Sequence, residues 1–225
     1  MNEENERESM MEDEKVSLGQ KIKWYIVKPS RFFEYFKGNP KVLIHFIMIF
    51  ILNAIATLIS SSKTDEITNQ LPKGMSAEQI ELTQNIKNVF SSPIVVVITT
   101  LITVTVTYLI FAGVRYIFTK LFKGEGTFKK MFSLVLVTSY PVAIAGIFRS
   151  IFSDPVVSSD IMNSVLSKVN IWSIWQLVLL IIGIKVMFNI SMKKSVIINV
   201  GIFVVTTFIT VGSAIINSNL SNMVQ

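Results

Sequence analysis

A single histidine, no cysteine and no acidic side chain inside its long apolar stretches leave this 225-residue sequence little with which to do chemistry. Thiolate, disulfide and sulfur-ligated metal chemistry are excluded. One imidazole, His45, cannot build a multi-histidine metal site. No serine is recognisably paired with it, so it reads as a packed or interfacial histidine rather than a general base. Asp65, Glu66, Glu78, Glu81, Asp154 and Asp160 fall between the apolar stretches, in segments that read as solvated. Lys123-Gly-Glu-Gly126-Thr lacks the Gly-Lys-Ser/Thr ending of a phosphate-binding loop and reads as a turn. The expectation is a protein that is not an enzyme and holds no cofactor and no metal.

The polar residues that remain sit on apolar elements. A spanning helix needs about 20 mostly apolar residues, because the hydrocarbon is about 30 Å thick. Five runs qualify, at about 42–60, 94–118, 131–152, 171–189 and 196–216. The fold class is therefore an all-α membrane protein with five transmembrane helices. Span two is rich in β-branched residues, but an open strand cannot satisfy its backbone in lipid. Sixteen of the 21 Lys and Arg residues fall in 1–41, around the 119–130 loop and at the turn after span four. Bases collect on the cytoplasmic side, which predicts the N-terminus inside and the C-terminus outside. The net charge of +6 then faces anionic lipid of the cytoplasmic leaflet rather than nucleic acid.

Residues 1–14 are acidic and read as a disordered tail, and 15–41 as a cytoplasmic interfacial segment. The membrane domain covers 42–216, and 217–225 reads as an extracytoplasmic tail. In the interfacial segment aromatic and basic residues alternate, and Pro29 should split it into two short pieces. Trp24, Arg31, Phe32, Phe33, Phe36 and Lys41 are its candidate contacts with lipid or with a protein partner. Ser76-Ala-Glu-Gln79 is a capping box that predicts an amphipathic helix leading into span two. Ile161, Val165, Leu166 and Val169 suggest a second one before span four.

Inside the spans, Thr99, Thr103 and Thr107 are spaced four apart and are candidates for one packed face. Pro141, beside Tyr140, should kink span three, and Gly146 and neighbouring alanines should admit a close helix. Lys185 should snorkel to headgroups.

Several of these landmarks, in order, resemble the Yip1 family of small membrane proteins. They are Pro29-Ser-Arg-Phe-Phe-Glu34, Gly38-Asn-Pro-Lys41, Gly126-Thr-Phe-Lys-Lys130, Tyr140-Pro141, Ile182-Gly-Ile-Lys185 and Ile190-Ser-Met-Lys-Lys194. Together they cover about residues 28–216. Ser139 stands where the family usually has a glycine. The resemblance implies a five-helix domain without catalytic machinery, in the plasma membrane of a bacterium. A narrower similarity, to a Yip1-domain protein of bacilli that accompanies a MacB-type ABC exporter, implies an accessory subunit of a pump for a toxic peptide. Its partners would be the ABC permease, ATPase and membrane-fusion subunits. The alternative is a stand-alone permease or lipid-handling protein, motivated by the polar groups of spans two and three.

Overall fold

The computed structural model describes residues 16–67, 76–90, 92–152, 165 and 169–223. Among these the regular structure is helical: α1 (Leu18–Val27), α2 (Pro29–Gly38), α3 (Val42–Ile67), α4 (Ala77–Phe90), α5 (Pro93–Leu121), α6 (Phe128–Thr138), α7 (Tyr140–Phe152), α8 (Ile171–Phe188) and α9 (Met192–Met223). Five stretches are long and apolar enough to cross a membrane: Val42–Lys63, Pro93–Leu121, Phe128–Phe152, Ile171–Phe188 and Met192–Ile216. Their number and order are those expected. The helices overrun the apolar runs, since α3 reaches Ile67 and α9 continues to Met223, well into the expected tail. Each residue added to an existing helix gains a backbone hydrogen bond, so a helix does not stop where hydropathy does.

Local signals fix several boundaries. Ser17 caps α1 by accepting from the Gln20 amide. Pro29 begins α2, where its missing N–H is harmless, and the chain turns at Lys28. The capping box of α4 forms as expected, with Ser76 Oγ on the Gln79 amide and Gln79 Oε1 on the Ser76 amide. The turn after α5 uses positive φ at Lys123 and Gly126, and its Glu125 amide donates to Phe188 O at the end of α8. A Cβ on Gly126 would lie 3.0 Å from the Phe188 ring, so only glycine suits that position. Residues 1–14 and most of the helix expected around Ile161–Val169 lie outside the described residues.

Span three is the axis of the bundle. Across an 18-residue window of it 61% of residues are buried, against 33% or less in the corresponding window of each other span. Span one packs along both halves of span three and along span two; span four packs on span three, span five and α2. The main core collects Phe33, Met131, Leu134, Leu179, Ile184 and Phe188, from the hairpin and from spans three and four. A smaller cluster of Ile49, Val104, Leu136 and Ala143 joins spans one, two and three.

Candidate functional site at the break of span three

Pro141 has no N–H to give the carbonyl four residues back, Val137. Span three accordingly divides at Ser139 into α6 and α7. Two hydroxyls reinforce the break by bonding back to the helix. Thr138 Oγ1 donates to Leu134 O at 2.9 Å, and Ser139 Oγ to Val135 O at 2.7 Å. The helix is thus interrupted two residues before the proline expected to kink it, and Pro141 itself is buried.

Three other elements supply polar side chains to this break. Tyr25, on α1, donates its hydroxyl to Val137 O at 2.9 Å. That is the carbonyl the proline leaves free. Burial, then the neighbouring Tyr140, pushes the Tyr25 phenol well above its ordinary range, so it stays a donor. Tyr140 shares a hydrogen bond with His45 Nδ1 of span one, 2.8 Å away. Gln176, on span four, donates to Ser139 Oγ at 2.8 Å. Ser139 therefore ties span three to span four. Spans one and four and the N-terminal hairpin meet within about one turn of one broken helix, at Val137, Ser139 and Tyr140. No charged side chain takes part in these bonds, and each polar group named is answered by another.

The α1–α2 hairpin is held there by rings. Phe33 is fully buried, Phe36 and Phe32 nearly so. Phe33 lies over Gly183, where an added Cβ would sit 3.2 Å from its ring and collide with Leu134. Gly183 therefore provides the close approach that allows α2 to reach span four. Edge-to-face pairs run from Tyr25 to Phe32, from Phe36 to His45, and from His45 to Tyr140, at centroid distances of 5.1, 5.3 and 5.8 Å.

Several candidate residues fall elsewhere than the sequence suggested. Trp24, Phe32, Phe33 and Phe36 face the protein interior rather than a lipid surface, because spans three and four leave a recess that the rings fill. Arg31 is exposed but its guanidinium covers the Trp24 ring at 4.4 Å. Lys41 is exposed, as a headgroup contact requires. Thr99 and Thr103 point away from the bundle, and Thr99 bonds back to Val95 O at 2.8 Å. The packed face of span two is one residue further on, at Val96, Thr100, Val104 and Ala112. Thr107 is half-buried. A Cβ on Gly146 would meet nothing within 4 Å, so the close contact expected there is made at Gly183 instead. Tyr25 and Gln176 were not singled out by the sequence; the one available signal was the carbonyl that Pro141 must free.

A Yip1 domain matches residues 24–215. The chain belongs to the Yip1 family. The match begins at Trp24, so the docked hairpin from Trp24 onward is part of the Yip1 domain rather than an appendage to it. No curated protein and no solved structure matches the chain. As a Yip1-family protein with five apolar helices, it is a multi-pass membrane protein.

Proposed function

We propose that this Yip1 protein is a non-catalytic accessory subunit that assembles with larger membrane proteins through the outer half of span five. One observation carries the reading. From Gly201 to Ile216 no residue of α9 is buried, although Thr206, Thr210 and Ser213 mark the helix there and Gly201 and Gly212 leave its surface bare. In lipid, small residues and hydroxyls favour helix association by packing and hydrogen bonding. The polar groups at the span-three break bond to one another, an arrangement suited to packing and not to a permeation path.

In this reading the basic end is cytoplasmic, with the N-terminus inside and the C-terminus outside, in a bacterial plasma membrane. An ABC-type exporter acting on a toxic peptide is the assembly with which it fits best, through the permease, ATPase and membrane-fusion subunits. Adjacent reading frames for those subunits would support that choice. The direct test is purification from native membranes in mild detergent. A stable larger complex is expected, and Gly212→Leu should release the partner while leaving thermal stability unchanged. Recovery of the chain alone from several mild detergents would overturn the proposal.

A further inference from the structure

A cavity of about 720 Å³ opens beside spans one, two and three, and no residue of the hairpin helices or of the break lines it. Val42, Phe46, Leu109 and Phe132 wall it with apolar surface, and Lys41 and Lys129 stand among its lining residues. None of the lining residues is acidic. Both lysines are exposed, and neither ammonium has a hydrogen-bond or ion-pair partner among the described residues.

The placement along the helices is informative. Lys41 immediately precedes α3, and Lys129 is the second residue of α6, so both charges stand where two spans begin. Leu109 lies 12 residues before the end of α5 at Leu121, about 18 Å along that helix. The cavity thus runs from a paired positive charge at headgroup level into the hydrocarbon zone. Its volume lies within the roughly 300–1,000 Å³ of small-molecule sites.

From this geometry we propose a specific site for one anionic phospholipid, with an acyl chain along the Phe46–Leu109–Phe132 wall and the phosphate between Lys41 and Lys129. Charge complementarity selects the occupant. A zwitterionic lipid would fill the groove but bring a cation to the two ammonium groups. An extended peptide would bring backbone polar groups that this wall has nothing to satisfy, and a helix, which satisfies its own, would bring no phosphate to the two ammonium groups. The site stands independently of the accessory role, since neither lysine belongs to span five.

Native mass spectrometry of the full chain, titrated with phosphatidylglycerol or phosphatidylcholine of identical acyl chains, tests it. One retained phosphatidylglycerol is expected, preferred by about twentyfold, and Lys41→Gln or Lys129→Gln should each cut that preference about fivefold. Lys120→Gln and Lys193→Gln, on exposed lysines outside the cavity, should change it less than about twofold. Thermal melting of each variant verifies that the fold is intact. Leu109→Trp should weaken retention of phosphatidylglycerol with both lysines in place. Equal retention of the two lipids would overturn the site. So would equal losses from all four lysine variants, which would indicate a diffuse ring of annular lipid. Competition by glycerol phosphate as strong as by the whole lipid would remove the acyl-chain part and overturn it too.

Discussion

Compared over windows of 18 residues, spans three and five are almost equally apolar, with mean hydropathies of 1.9 and 2.1, yet 61% of the first window is buried and 17% of the second. Hydropathy reports that a helix suits lipid. It does not report which helix the others gather around. Span three gathers them because it carries a proline break with free backbone groups to satisfy, and because its neighbours can come close. Span five is tied in near its beginning, where Ser195 Oγ donates to Ile181 O of span four at 2.6 Å and Asn199 is fully buried. Beyond Asn199 it has no buried residue. One chain thus has a closed half around the break and an open half along α9.

The comparison breaks most readily at Phe33. Phe33→Ala should cost about 3–5 kcal/mol, read as the shift in a denaturant or SDS unfolding midpoint. Phe208→Ala, on the open helix at 74% exposure, should stay within about 0.5 kcal/mol. Comparable losses would mean that the hairpin is not part of the closed half.

The glycines give the next contrast. Gly183→Val should destabilise by about 1–3 kcal/mol, because its new atoms meet Leu134 and Phe33. Gly201→Ala, with nothing within 4 Å, should be neutral or slightly stabilising through helix propensity in the same assay.

A double-mutant cycle sharpens the account of the break. Tyr25→Phe should cost about 1–3 kcal/mol, because Val137 O loses its donor in the interior. In a Pro141→Ala background the restored N–H can serve that carbonyl, and the cost should fall by at least about 0.5 kcal/mol. Strict additivity would show that the tyrosine answers some other need. The pH dependence offers a parallel check. Burial raises the phenol's pKa in the folded state above its ordinary 10.0, so its contribution is complete below pH 10 and declines above it as the unfolded chain ionises. Tyr25→Phe should flatten the alkaline decline relative to the parent.

The smallest effect concerns span two. Thr99→Val should change stability by less than about 0.5 kcal/mol, since its hydroxyl serves only its own helix and its face is outward.

Much of this architecture is legible locally. Length and apolarity mark five spans, Pro29 divides the interfacial segment, Ser76 and Gln79 start α4, and Pro141 breaks span three. These signals act within a turn or two of the residues that carry them. The site depends on contacts with no local trace. Tyr25 meets a carbonyl 112 residues away, Gln176 a serine 37 residues away, and Phe33 a glycine on another span. The aromatic-basic pattern of the hairpin suits a headgroup layer as well as it suits a recess between helices, so composition could not choose. The threonine row shows the same limit. Rows beginning at Thr99 and at Thr100 both run along span two about 100° apart, and only the neighbouring helices decide which one is covered.

The seat of Phe33 also sets a timetable for biogenesis. The ring leaves the ribosome long before Gly183, 150 residues later, completes the surface it rests on. At ordinary elongation of ~5–20 residues per second that interval is roughly 8–30 s. Throughout it, a cluster of large aromatic rings is a nascent client for whatever shields greasy segments at the membrane. Slowing translation ahead of the fourth span should therefore raise losses of newly made chain.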